Sequence, residues 1–251
     1  MTLHLYAHRL SQPSRAVEIL LRELDMSYTW HEVDFANGET REPWFAKDIN
    51  ALQTIPALVV SAESATDDKT EAGIGESHAI MRYLCRVAPD RDHAARWYPA
   101  EDALSSAQVD LWMAWHHNNV RAYDMFHDIM NLHLTLPMLK YELQETALKP
   151  LQDGLRGGLA TLEQHLEKHD TSEPTLCGSA HPTLADLTIA CELYQIVAVG
   201  YRFTRFPNVA RWLDNIAQRP HFQDVSQEIV EQGCTIREQS GGYLDLDKAF
   251  A

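Results

Sequence analysis

Ser11 is the residue of this chain best placed to do chemistry. In Leu10-Ser11-Gln12-Pro13-Ser14-Arg15 a hydroxyl stands between a short apolar strand and an amphipathic helix. The proline that follows is pre-set for a helix's first turn. A helix N-terminus carries about half a positive charge and several unpaired N–H groups, so it stabilises anions. A serine there has two uses: it caps its own helix, the ordinary role, or it donates a hydrogen bond to something negative held at the helix mouth. Ser14 lies one turn inside and is worse placed for the second use.

Other reactive side chains offer less. The four cysteines, Cys85, Cys177, Cys191 and Cys234, are scattered and show no disulfide or zinc spacing, which suits a reducing cytoplasmic compartment. None precedes Cys85, so a covalent disulfide mechanism at the first helix is excluded. The 13 histidines contain no metal-ligand pattern, and no metal is expected. His116 and His117 are adjacent on a helical stretch and point apart, one to the core and one to the surface.

The net charge of −15, from 21 Lys and Arg against 36 Asp and Glu, repels polyphosphate, and no basic stripe offsets it. Nucleic acid is therefore not an expected partner, although a locally positive pocket can still take a small anion. No apolar run is long enough for a membrane span, and Met1 is not followed by a secretory signal pattern.

The elements that must position these residues fall into two groups. In 1–88, Leu3, Leu5 and Tyr6 mark a buried strand, and Ala16, Val17, Leu20, Leu21 and Leu24 a helical stripe. Tyr28 to Phe35 alternates like a strand, with a turn at Asn37-Gly38 and a short helical piece near Trp44 to Lys47. Ile55 to Val60 is a proline-led strand, and a helix opening near Glu76 shows Ala79, Ile80, Tyr83, Leu84 and Val87 on one face. Such an order predicts a small sheet with helices on both sides. The polar stretch from Ser61 to Thr70 reads as an exposed hairpin tip, and 89–102 as a linker.

From 103 to 240 every pattern is helical. One stripe runs from Val109 through Trp112, Met113, His116, Val120 and Tyr123 to Ile129 and Met130. Leu155, Leu159, Leu162 and Leu166 make another. Thr183-Leu184-Ala185-Asp186 is a variant capping box, and Phe206-Pro207-Asn208 opens a further helix that Arg219-Pro220 closes. Residues 241–251 form a tail behind Gly241-Gly242.

With these motifs in this order, the chain resembles the cytosolic glutathione transferases, most of all the theta-like class. The resemblance is carried by Leu10 to Val17, Ile55-Pro56, Glu76-Ser77, Trp97-Tyr98-Pro99 and Thr183 to Asp186. It implies an α/β thioredoxin-like N-terminal domain that binds glutathione and an all-α C-terminal domain that holds the electrophile. A cytoplasmic homodimer and a cis peptide bond between Ile55 and Pro56 are implied as well. Glutathione is the co-substrate, and the partner molecule a small electrophile.

By the same resemblance Ser11 donates to the glutathione thiolate. Other transferase classes use a tyrosine near here, but the theta pattern leaves Tyr6 in the strand. Gln12, Thr40, Arg41, Ile55, Pro56, Glu76 and Ser77 would bind the rest of the tripeptide; Thr40 stands where theta relatives often carry a basic residue. Arg121, on the long helix after Asn118, would be an active-site arginine, against the alternative of a surface ion pair. Leu10, Trp115, His116 and Asn118 would line the electrophile pocket, against the alternative of core packing for the aromatic stripe. A catalytically silent binding or scaffold protein on the same fold is the competing reading of the whole chain. A maleylacetoacetate isomerase-like protein fits less well, since Ser11-Gln12-Pro13 lacks that group's serine-serine-cysteine motif.

Overall fold

The computed structural model describes residues 1–63, 69–123, 145–169 and 172–239. The chain divides into two compact units, Met1–Ala103 and Leu104–Ala251.

The first unit is built on a four-stranded mixed sheet. Its elements are β1 (Thr2–Ala7), α1 (Gln12–Glu23), β2 (Thr29–Glu32), a 3-10 turn (Glu39–Arg41) and a π-helical turn (Phe45–Ile49). β3 (Ala57–Glu63), β4 (Lys69–Ile74), α2 (Ser77–Val87) and α3 (Arg91–Trp97) follow. The strand order is β2-β1-β3-β4, with β1 parallel to β2 and antiparallel to β3, and β3 antiparallel to β4.

The unbroken apolar run Ala57-Leu58-Val59-Val60 is explained by a strand buried on both faces. Ala57 and Val59 join Val33, Phe45 and Ile49 in a core on the side of the π-helical turn, with Tyr6 packed against it. Leu58 and Val60 pair with Leu5 and Leu3 and point the other way, where α1 and α2 pack on one another. Gly73 makes the π-helical seam possible, because a Cβ there would run into the Ile49 carbonyl.

Two parts of this unit differ from the sequence expectation. The polar stretch 61–70 is strand at both its ends, 61–63 and 69–70, paired in register through Glu63 and Lys69; its tip, 64–68, lies outside the described residues. The stretch 89–102 contains α3, capped by Asp90, whose carboxylate accepts from the His93 N–H at 2.9 Å. Charge and proline content pointed to a linker, but the cap and the burial of Ala94 and Trp97 favour a helix.

The second unit contains α4 (Ala103–Asn119), a 3-10 turn (Arg121–Tyr123), α5 (Glu145–Glu167), α6 (Leu184–Ala198), α7 (Pro207–Ala217), α8 (Pro220–Val225) and α9 (Gln227–Gln239). The leucine stripe of α5 is buried, as its spacing requires. Asp186 closes the capping box of α6 by accepting from the Thr183 N–H and hydroxyl, both at 2.8 Å. The same carboxylate also accepts from the Leu176 N–H and from Trp212 Nε1.

Phe206 cannot cap α7 through its side chain, and Glu163 of α5 accepts from the Asn208 and Val209 N–H groups instead. α4 ends sooner than its apolar stripe suggested. Asn119 turns back to donate to the Trp115 carbonyl at 2.8 Å, and the chain tightens into the 3-10 turn. The continuation of that stripe at Ile129 and Met130 lies outside the described residues, as do the tail residues 241–251.

Candidate active site

Strand register alone gathers most of the first unit's candidates. Tyr6 pairs with Ala57, Leu58 with Ile74, and Ala7 with Glu32. The C-terminal ends of β1, β2 and β4 and the N-terminal end of β3 therefore share one edge of the sheet. Leu10, Ser11 and Gln12 follow β1, Ile55 and Pro56 precede β3, and Glu76 and Ser77 follow β4. Thr40 and Arg41 lie on the 3-10 turn reached from β2, Arg41 exposed and Thr40 half-buried. The N-termini of α1 and α2 both open at this edge, so two helix dipoles present their positive ends there.

Ser11 occupies the N-cap position of α1 with extended backbone (φ −82°, ψ 120°), yet its side chain makes no capping bond. Its backbone makes the ordinary bonds of that position: the Ser11 carbonyl accepts from the Arg15 N–H, and the Ser11 N–H donates to the His8 carbonyl, both at 3.0 Å. The ordinary capping role is thus not taken up. Half-buried at the mouth of α1, the hydroxyl is turned to no N–H of its own helix. Ser14 is fully buried inside α1.

The loop before Ser11 is held by a network that spacing did not disclose. Arg15, fully buried, donates to the carbonyls of Arg9 and Leu10 at 2.9 and 3.4 Å. Glu18, also fully buried, accepts from Arg9 through two bonds of 3.0 and 2.8 Å, from Arg22 at 2.6 Å and from the Tyr28 hydroxyl at 3.0 Å. Burial alone would raise the Glu18 pKa; the bonds and charges of Arg9 and Arg22 outweigh it and hold the carboxyl below its ordinary range. The signal was present as Arg9 and Arg22 on either side of Glu18, but such charges read as a solvated helix face.

The Ile55–Pro56 bond is cis, as the resemblance implied. Just before it, Asn50 braces the loop by donating to the Thr54 carbonyl at 2.9 Å and accepting from the Leu52 N–H at 3.1 Å. Glu76 has φ +61°, a left-handed value that costs a non-glycine residue about 1–3 kcal/mol and marks a backbone constrained from outside. It is exposed, with Ser77 half-buried behind it at the start of α2.

In the second unit, Arg121 lies on the 3-10 turn after α4 and not within the helix, because α4 stops at Asn119. Its Nη1 donates to Glu192 Oε2 at 3.0 Å. His116 Nε2 meets the same oxygen at 3.2 Å. His116 is only 2% exposed, so this expected pocket residue faces a buried carboxylate. His117 is exposed, as the adjacent pair required. Trp115 is half-buried and edge-on to Trp112, with centroids 5.2 Å apart, and Asn118 is exposed. Glu192 was missed because nothing in the apolar sequence of α6 marks it out.

Two of the protein's own thiols, Cys85 and Cys177, are poor nucleophiles. Burial pushes Cys85 up to about 12 and Cys177 up to about 11.

Comparison with known proteins places the chain in a family. A family model for the glutathione S-transferase N-terminal domain matches residues 11–87, and one for the C-terminal domain matches 143–215. Glutathione S-transferase T1 of Arabidopsis thaliana is 31% identical over 96% of this chain and 95% of its own length. The chain belongs to the glutathione S-transferase family.

Glutathione S-transferase T3 of the same plant is 32% identical over 90% of the chain, which spans only 37% of that longer relative. Among solved structures, the human theta-class glutathione transferase in complex with the glutathione conjugate of 1-menaphthyl sulfate superposes with a TM-score of 0.74. It is 26% identical, with 96% of this chain and 91% of that one covered. The transferase is thus a theta-like enzyme of the glutathione S-transferase fold, a thioredoxin-like sheet unit followed by a helical one. Among the described residues, no helix is long and apolar enough to cross a membrane.

Proposed function

We propose that this transferase binds glutathione at the edge defined by Ser11, Ile55 and Ser77, and that the Ser11 hydroxyl donates to the sulfur and keeps it ionised. The observation that carries this reading is the Ser11 side chain itself, at the N-cap yet not engaged in capping. A thiol of pKa ~8.5 is only about 3% ionised at neutrality, and lowering it by ~2 units requires about 2.7 kcal/mol. One hydrogen bond to a charged group supplies about 1.5–3 kcal/mol, so a hydroxyl aided by a helix terminus is sufficient.

The remaining contacts follow from the chemistry of the tripeptide. Ser77, with the N–H groups of α2, suits the γ-glutamyl carboxylate, and Glu76 pairs with the α-amino group. The Ile55 backbone, set by Pro56, adds to the cysteinyl unit as a strand would. Gln12, Thr40 and Arg41 hold the glycyl end.

The thiol proton passes to solvent as glutathione binds. The sulfur then attacks an electrophilic carbon; a C–S bond forms, and halide or sulfate departs with the bonding electron pair. Addition to an activated alkene and reduction of a peroxide use the same nucleophile. Arg121 stabilises the developing negative charge. Leu10, Trp115 and Asn118 contribute to the electrophile pocket. The working form is a cytoplasmic homodimer with glutathione as the only co-substrate.

The test is a pH titration of the ultraviolet thiolate absorbance of bound glutathione in wild type and Ser11→Ala. The expected wild-type transition lies about 2 units below that of the free thiol, and the variant's returns to the free value. An unshifted wild-type transition removes the thiol-activation mechanism. Absence of turnover with 1-menaphthyl sulfate, a nitrobenzyl chloride and other thiol-reactive probes would favour a silent binding protein.

A further inference from the structure

The carboxylate of Glu192 is inside the helical unit, 5% exposed, on an α6 whose neighbouring Ala190, Cys191 and Leu193 are all buried. Dehydrating an ion in such a place costs several kcal/mol, and an apolar residue of similar volume is often neutral or better for stability. Stability is therefore a weak reason for a charge here, and the partners suggest another. Oε2 of Glu192 receives Arg121 Nη1 at 3.0 Å and meets His116 Nε2 at 3.2 Å. Burial acts to raise the Glu192 pKa, but the His116 contact and the Arg121 charge prevail and hold it below the ordinary range, so it is ionised at neutrality.

Arg121 itself is different in character. Its side chain is 38% exposed, and among the described residues it engages Glu192 through Nη1 alone. A guanidinium has five donors in a planar fork. One of its nitrogens is tied to a buried anchor, which restricts the directions open to the others. The end of α4 that leads into this turn sits close against α5. The Asn119 carbonyl lies so close to Gly158 of α5 that a Cβ there would collide with it.

We propose that Glu192 is a positioning residue, whose buried carboxylate, anchored by His116, fixes the guanidinium of Arg121 for its work on the reacting charge. The inference rests on the proposed role of Arg121 and deepens it. Glu192 touches no substrate; its effect on the reaction passes through Arg121. Without it the guanidinium becomes one more mobile surface cation, and the orientation that makes an arginine useful in a transition state is lost.

The experiment is a double-mutant cycle on glutathione conjugation of 1-menaphthyl sulfate, with the unfolding midpoint measured on each protein. Glu192→Gln removes the charge at constant volume. Glu192→Asp keeps the charge but withdraws it by one methylene, and carries the test should the glutamine variant fold poorly. Each is expected to lower kcat about tenfold while the KM for glutathione changes less than about twofold. Introduced into Arg121→Ala, each is expected to change kcat by less than about twofold, since the group it positions is gone. Equal losses in the two backgrounds, tracking the unfolding midpoint, would overturn the inference and leave Glu192 a purely structural ion. Loss in Arg121→Ala without loss in either Glu192 variant would also overturn it, leaving the role of Arg121 intact. No loss in Arg121→Ala itself would overturn that role, and this inference with it.

Discussion

In the first unit Ser11, Ile55 and Ser77 reach one sheet edge through strand register, whereas in the second Arg121 meets Glu192 through side chains alone, across 71 residues of chain. Backbone placement follows from hydrogen-bond ladders that many residues share, so it depends less on any one side chain, even where Arg15 and Glu18 brace the loop before Ser11. Side-chain placement depends on two or three buried groups, and a single substitution undoes it. The first unit should therefore tolerate change around its site better than the second.

Asp186 offers the largest test of that contrast. Asp186→Ala strips acceptors from the Leu176 and Thr183 N–H groups and from Trp212 at once. The expected loss is about 3–5 kcal/mol, read as a lower denaturant midpoint. Glutathione binding by the folded fraction should be unchanged, because the groups that Asp186 holds all belong to the second unit.

Glu18 is the nearest counterpart in the first unit, and its test is pH-dependent. A carboxyl whose pKa is lowered on folding contributes stability above its unfolded value, about 4.3, and that contribution is lost as pH falls through the lower folded value. Glu18→Gln should thus cost about 3 kcal/mol at pH 7 and progressively less below about pH 4. Unfolding curves of the two proteins across that range should converge at the acid end.

Gly73→Ala probes the backbone side of the contrast. The added methyl meets the Ile49 carbonyl and pushes β4 from the π-helical turn, at about 1–3 kcal/mol. Because β4 delivers Glu76 and Ser77, the KM for glutathione should rise more than kcat falls. The smallest effect belongs to Tyr6→Phe. Tyr6 stacks on His31 with centroids 4.3 Å apart and packs edge-on to Phe45, so the thiolate transition of bound glutathione should stay where it is in wild type.

What could be read from the sequence follows the same division. The strand at Leu3 to Tyr6, the helix opening at Pro13, the leucine stripe of α5 and the Thr183–Asp186 cap are periodic or local signals, and each forms where its pattern lies. The π-helical turn at Phe45–Ile49 was legible only as some helical piece, since an i to i+5 pitch has no residue signature. The end of α4 was overrun, because apolar spacing continued past Asn119 while the chain tightened into a 3-10 turn at Arg121. Glu18 and Glu192 were hidden for one reason: a buried carboxylate is recognisable only from partners that folding brings to it.

The most direct measurement of the central claim is the structure of the transferase with glutathione bound. The account predicts the Ser11 oxygen within hydrogen-bonding distance of the cysteinyl sulfur and the γ-glutamyl carboxylate on Ser77. A sulfur lying out of reach of Ser11, or a Ser11 side chain swung back to cap α1, would contradict it.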